Sequence, residues 1–199
     1  MPASSTRASL LRRIRNPADA ASWFEFCAVY EPLLRRYATS LGVPPADAPD
    51  VVQEILIRLL RNLDGFEYDP ERARFRTWLQ RVARNRIIDW MRVLSRRCEA
   101  CCDPSILQEL QVSADEFDWE AEHRRQIVMH VLEMVRLECR SRTWACFELH
   151  FLQRLAVTEI ARRTGLTISG VYINAYRTLK RVRHLCAQFD EDIEHGPQV

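Results

Sequence analysis

A chain of 199 residues holds one medium domain or two small ones, and 47% hydrophobic with 28% charged residues is the balance of a folded chain rather than a disordered one. Only 5 glycines, among many Leu, Arg, Glu and Ala, favour helices over sheets. No apolar run approaches the roughly 20 residues that span a bilayer, and no apolar stretch with a cleavage site follows the basic segment Met1 to Asn16; no membrane insertion and a cytoplasmic location are the expectations.

Residues 1–20 read as a basic N-terminal tail ending at Asn16-Pro17. From Ser22 the pattern turns helical: Trp23, Phe26, Cys27, Tyr30, Leu33, Leu34 and Tyr37 recur at spacings of three and four. Pro32 falls inside that run and can kink or split it. Gly42 ends the element, and Pro44, Pro45 and Pro49 make the next turn.

The second helix begins near Asp50, whose carboxylate suits a helix N-terminus. Val52, Ile55, Leu56, Leu59, Leu60 and Leu63 form its expected buried stripe. Asp50, Gln53, Glu54, Ile57, Arg58 and Arg61 fall largely off that stripe and make a candidate protein-docking face. A turn-rich loop, Asp64 to Pro70, precedes a third helix from about Arg74 to Leu94. Its core candidates are Phe75, Leu79, Val82, Ile87, Trp90 and Leu94, and Thr77, Arg81, Arg84, Asn85, Ile88 and Arg92 occupy another face. Arg interleaved with Phe75, Trp78 and Trp90 suits single-stranded or melted DNA, since cations track phosphates and aromatic rings accept unstacked bases. Trp90 is assigned to the core; Trp78 fits either role.

Residues 95–120 lack a sustained period and read as a flexible linker. Glu99 to Glu122 holds eight acidic residues and no basic one. The blocks on either side are basic: nine Arg from Glu71 to Arg97 against Glu71 and Asp89, and seven cations from Arg154 to Arg183 against Glu159 alone. Two basic modules joined by an acidic strap fit a DNA binder whose linker stays off the duplex. Cys98, Cys101 and Cys102 sit in the strap. No second Cys pair or His pair follows at zinc-finger spacing, so they read as unligated thiols, and neither metal nor cofactor is expected. Cys27, Cys139 and Cys146 fall within apolar helical patterns as packing residues.

Helical pattern resumes with Ile127, Val128, Val131, Leu132, Val135 and Leu137, and restarts with Trp144, Phe147, Leu149, Phe151 and Leu152. A short helix over about Val157 to Thr164, a turn at Gly165-Leu166 and a basic helix from a Thr167 cap to about Cys186 make the layout of a helix-turn-helix. Ala161 allows close approach, and Leu166, Val171 and Leu179 pack inward. Thr167, Ser169, Tyr172, Asn174, Tyr176, Arg177, Lys180 and Arg181 remain for a major groove, the early residues toward base edges and the later cations toward phosphates.

Taken in order, these features resemble the sigma-70 family, in its small two-domain extracytoplasmic-function group. The resemblance rests on Asp50-Val51-Val52-Gln53-Glu54, on Phe75-Arg76-Thr77-Trp78-Leu79-Gln80-Arg81-Val82-Ala83-Arg84-Asn85, and on Thr158-Glu159-Ile160-Ala161 with Gly165-Leu166. It implies an all-α fold of two small helical domains joined by the acidic linker. Residues 21–94 would be sigma region 2, 95–120 the linker, 121–186 sigma region 4 and 187–199 a C-terminal tail. It further implies a non-enzymatic protein whose partners are core RNA polymerase and promoter DNA, duplex and melted, with an anti-sigma factor as a further candidate. Asp50, Gln53, Glu54, Ile57, Arg58 and Arg61 would meet the β′ clamp coiled coil. The loop at 64–74 and Arg76, Trp78, Arg81, Arg84, Asn85, Ile88 and Arg92 would read and open the −10 element, Asn85 helping to hold a flipped base. The helix-turn-helix would bind the −35 element and approach the β flap. Two departures stand out. Ala156 occupies the cap where relatives place Ser or Thr, and Tyr172-Ile173-Asn174 stands where many carry basic or hydroxyl residues. Competing classes are a helix-turn-helix regulator that never enters the polymerase and a helical adaptor or anti-sigma-like protein.

Overall fold

The computed structural model describes residues 10, 13–16, 18–62, 75–97 and 117–189. Among these the secondary structure is helical, with no strand. The elements are α1 (Ala20–Ser40), α2 (Ala48–Asn62), α3 (Phe75–Arg97), α4 (Trp119–Glu138), α5 (Ser141–Phe147), a π-helical turn (Glu148–Leu152), α6 (Val157–Thr164) and α7 (Ile168–Phe189). The chain forms two compact units that divide within α4. One is Ala8–Gln126, and Ile127–Val199 make up the body of the other.

In the first unit α1 starts at a side-chain cap. The Ser22 amide donates to Asp19 Oδ1 at 3.0 Å and the Ser22 hydroxyl to Oδ2 at 2.8 Å. These bonds, with the Arg13 guanidinium at 3.1 Å, hold the Asp19 carboxyl below its usual range. Leu10 and Ile14 are buried, so the stretch read as a tail contributes to this core. The α1 helix runs unsplit through Pro32 and buries Phe26, Val29, Tyr30, Leu33, Leu34 and Tyr37; Trp23 and Cys27 are only half-buried. It stops at Gly42, whose φ of +89° suits a residue without a Cβ.

Val51, Val52, Ile55 and Leu59 form the inner face of α2. Leu60, expected inside, is 40% exposed, because its direction diverges from Leu59 by one helical step of about 100°. Leu63 lies outside the described residues. On α3, Phe75, Leu79, Ala83 and Ile87 are buried at a spacing of four, whereas Leu94 is exposed and Val82 and Trp90 are half-buried. At 23 residues α3 outruns the 15-residue α2 packed beside it, so its C-terminal turns have less to lie against.

The first unit also takes in residues that the sequence pattern assigned to the linker and the second module. Asp118 caps α4 through the Ala121 amide at 2.9 Å. The first turns of α4 then bury Trp119, Glu122, His123 and Gln126. Trp119 meets Tyr37 edge-on at 5.1 Å, and His123 lies 5.6 Å from Tyr30, which stacks on Phe26 and meets Phe75 edge-on. An aromatic core thus joins α1, α3 and the start of α4.

In the second unit Cys146, Ile160, Val171 and Ala175 form the core, with Leu149, Phe151, Leu155, Val157, Ala161 and Leu166 packed against it. Burial pushes the Cys146 thiol above its ordinary value, as suits a packing residue. Cys139 is half-buried, and Val128, Leu137 and Leu152 are exposed where an inward role was expected. Cys98, Cys101 and Cys102 lie outside the described residues.

The packing of α4 onto the first unit is testable. Trp119→Ala should cost about 3–5 kcal/mol in that unit. Leu137→Ala, at a side chain 78% exposed, should stay within about 0.5 kcal/mol. Urea unfolding of the full chain followed by circular dichroism compares them, and equal midpoints would remove the assignment.

Candidate nucleic-acid interface

In the second unit, α6 and α7 are joined by a turn at Gly165. Its φ is +67°, and its amide donates to the Ala161 carbonyl at 2.9 Å. Thr167 starts α7 by accepting the Gly170 amide on its hydroxyl oxygen at 3.1 Å. The start of α6 has no such help, since Ala156 offers no side-chain acceptor to the first-turn amides.

The face of α7 away from the core presents Ser169, Tyr172, Tyr176, Arg177, Lys180 and Arg181, and Thr167 is exposed at its start. Arg181 is ion-paired with Glu138. Asn174 departs from expectation. It is half-buried, its amide donates to the Gly170 carbonyl at 2.8 Å, and its oxygen accepts the Thr143 hydroxyl at 3.4 Å. It points toward α5, one step round from the outer face, and is occupied there. Ile173 is 56% exposed in the position a groove reader would take. Sequence reading passed over it because an aliphatic residue in a helix suggests core; its place two residues from both Val171 and Ala175 is the signal that turns it outward. The cations of α6 are partly offset. Arg162 and Arg163 bind Glu159 at 2.8 and 2.6 Å, and their hydrogen bonds hold its carboxyl down to about 2.

On α3, Thr77, Arg81, Asn85 and Arg92 are exposed and Trp78, Arg84 and Ile88 half-buried, with Trp78 tilted against Phe75 at 5.7 Å. Arg76 is a correction. It is buried at 4% exposure, pairs with Glu120 at 2.7 Å, and lies 3.3 Å from His123 Nδ1. A charge withdrawn from water needs such a partner, and the acidic strap supplies it once α4 lies against α3. Arg76 is therefore part of the packing and is not presented to DNA. The 64–74 loop lies outside the described residues.

On α2, Asp50, Gln53, Glu54, Ile57, Arg58 and Arg61 are all exposed, and Leu60 adds apolar surface beside them. Two of the six are steadied by α3: Glu54 pairs with Arg86, and Arg58 reaches Asp89 at 3.4 Å. The sequence did not announce these pairs, since their partners lie about thirty residues away.

Residues 27–97, which span most of α1 and all of α2 and α3, match the family model for Sigma-70 region 2. The chain is also 29% identical over 148 residues to the ECF RNA polymerase sigma-E factor of Escherichia coli K12, covering 70% of this chain and 74% of that protein. These matches make the chain similar to sigma-70 family proteins. Its likeness to the ECF RNA polymerase sigma factor RpoE of Cereibacter sphaeroides is longer, 26% over 181 residues, with 88% and 92% covered; both relatives are ECF sigma factors by name. Solved structures with some likeness are the RsbN–BldN complex (TM-score 0.36, 20% identity, 88% of this chain and 98% of that one) and CnrH with the cytosolic domain of CnrY (0.36, 22%, 88% and 94%). Both are too distant to carry structural argument.

The two α3 arginines should separate a packing role from a surface one. Arg76→Ala should lower the stability of the first unit by about 1–3 kcal/mol, by stranding the groups around it. Arg81→Ala should change stability by less than about 0.5 kcal/mol. Urea titration of both variants checks this, and matching midpoints would return Arg76 to the surface.

Proposed function

We propose that this sigma factor docks on core RNA polymerase through the exposed face of α2, captures melted −10 DNA on α3, and places the α6–α7 helix-turn-helix on the −35 element. One observation carries this reading: within residues 27–97, adjacent helices bury one stripe each and leave two chemically different faces. On α2 the face mixes acidic, amide and apolar groups at Asp50, Gln53, Glu54 and Ile57; on α3 it carries Arg81, Asn85 and Arg92. A mixed face with an apolar centre suits a protein partner. A cationic face with an amide suits a phosphate backbone and an extruded base.

Opening the duplex on such a surface needs no covalent chemistry. Unstacking costs a few kcal/mol per base, and binding the extruded base and its phosphates offsets that cost. In this reading Asn85 offers a donor and acceptor to a base edge, Arg81, Arg84 and Arg92 meet backbone, and Trp78 and Ile88 supply apolar surface. The protein acts by binding rather than as an enzyme. No described helix is long and apolar enough to cross a membrane, and we assign the chain to the cytoplasm, where its polymerase works. An anti-sigma protein seated on the α2 face would act by excluding the polymerase. A regulator that never enters the polymerase would account for α6 and α7 but not for residues 27–97.

Two experiments test the assignment. With core polymerase on a promoter it initiates from, Asn85→Ala should slow open-complex formation about fivefold to tenfold, the worth of roughly one hydrogen bond. Closed-complex affinity should stay within about twofold. Permanganate reactivity and filter binding read the two steps, and equal losses in both would end the base-capture role. On α2, Asp50→Arg with Gln53→Ala spares the Glu54–Arg86 pair and should weaken core binding about tenfold in competition assays, at unchanged circular dichroism. Undiminished competition would remove that face from the interface.

A further inference from the structure

Beside Ser169, the outer face of α7 presents a cluster of large apolar side chains. Tyr172, Ile173 and Tyr176 are 43%, 56% and 55% exposed. The two tyrosines are held from behind. Tyr172 meets His150 edge-on at 5.6 Å, and Tyr176 meets Phe151 edge-on at 5.3 Å. The π-helical turn that carries His150 and Phe151 thus acts as their buttress. The two rings lie 6.3 Å apart, and Ile173 stands beside the pair, its branched Cβ leaving it one strongly preferred rotamer in a helix. The polar neighbour that could read a base edge, Asn174, spends its amide on Gly170 and its oxygen on Thr143.

The charge around this patch decides what covers it. Arg177, Lys180 and Arg183 are exposed on the following turns of the same helix, so the occupant is anionic along one side and apolar where it meets Ile173. In a major groove one chemical group fits that description. The thymine C5-methyl is the apolar feature among base edges otherwise made of donors and acceptors. Ile173 is the sixth residue of α7, within the N-terminal turns that approach base edges in a helix-turn-helix.

We propose that Ile173, beside the buttressed rings of Tyr172 and Tyr176, selects thymine methyl groups in the −35 element. This sets a specificity by apolar contact rather than by hydrogen bonding. It rests on the reading that α7 enters the major groove of the −35 region.

The experiment uses the full chain bound to core polymerase. Duplexes randomised across the −35 region are selected for binding, and the enriched sequence is resynthesised with deoxyuridine in place of thymidine, which removes only the methyl group. The wild-type holoenzyme should enrich thymine at one or two positions and lose about three- to fivefold in affinity for each contacted methyl removed, the worth of burying one such group. Ile173→Ala is at an exposed site and should fold normally. It should no longer enrich those thymines and should bind the thymidine and deoxyuridine duplexes equally. The idea is overturned if no thymine is enriched, if deoxyuridine is silent in the wild type, or if Ile173→Ala keeps the full sensitivity. It is equally overturned if Ile173→Ala weakens core binding without altering the selected sequence, which would make the patch a protein contact. A double variant, Arg177→Ala with Lys180→Ala, separates the two levels. If it leaves −35-dependent binding intact, the groove reading itself fails. If it impairs that binding while deoxyuridine is silent, the role of Ile173 alone is lost.

Discussion

A helix can bury only one stripe, and the stripe chosen by the core dictates what remains for partners. On α3 this constraint is unusually strict. Phe75, Leu79, Ala83 and Ile87 are buried at a spacing of four, and each step of four turns the helix by about 40°. The buried line therefore winds slowly round the helix, and Arg81, Asn85 and Arg92 fall outside it. The same core that packs α3 against α1 and α2 orients the groups assigned to DNA. Its aromatic members, Phe26, Tyr30 and Phe75, interlock at ring separations of 4.3 to 6.0 Å, which favours one rotation of α3 over its neighbours.

Arg76 shows how that constraint overrides local chemistry. It lies beside Phe75, at the edge of the buried line, in a helix whose arginines otherwise look alike in sequence. What distinguishes it is a partner more than forty residues away: Glu120 and His123 on the first turns of α4. A buried ion pair contributes little net stability, because desolvating the two charges costs about what their attraction returns. Arg76 is the withdrawn member, 5% exposed against 41% for Glu120, and the pair links the first turn of α4 to α3. Glu122 is similarly committed, to Arg125 and Gln126 on its own helix and to Arg36 on α1.

Much of this was legible in the sequence, and the misses share a cause. The α6 boundaries, the Gly165 turn and the Thr167 cap were readable because each is a local signal with a local mechanism. The exposed set on α2 was readable because an amphipathic stripe of Val and Ile defines its own complement. Arg76, Asn174, and the packing of residues 117–126 onto the first unit were not, because each depends on a distant partner. Periodicity speaks only of a helix's own faces. Residues 117–120 carry Asp118 and Glu120 beside the buried Trp119 and so read as linker, while 121–126, with the buried His123, read as the start of the second module.

Asn174 and Ile173 bring the argument to α7, where the same constraint has a chemical consequence. Val171, Ala175, Thr178 and Val182 form its buried seam. Asn174 flanks that seam and finds partners in α5 and in its own helix, so one of its amide protons and one lone pair of its oxygen are engaged by the fold. Ile173, about 100° further round, faces out with nothing polar to offer. In the proposed −35 role, such a helix would trade the directional discrimination of an amide for shape and methyl contact, while Arg177, Lys180 and Arg183 would supply affinity that is indifferent to sequence. The sharpness of that choice would then depend on how rigidly the apolar side chains are held. The π-helical turn Glu148–Leu152 carries the two rings, His150 and Phe151, against which Tyr172 and Tyr176 rest, so in that role it would help to hold the apolar side chains in place.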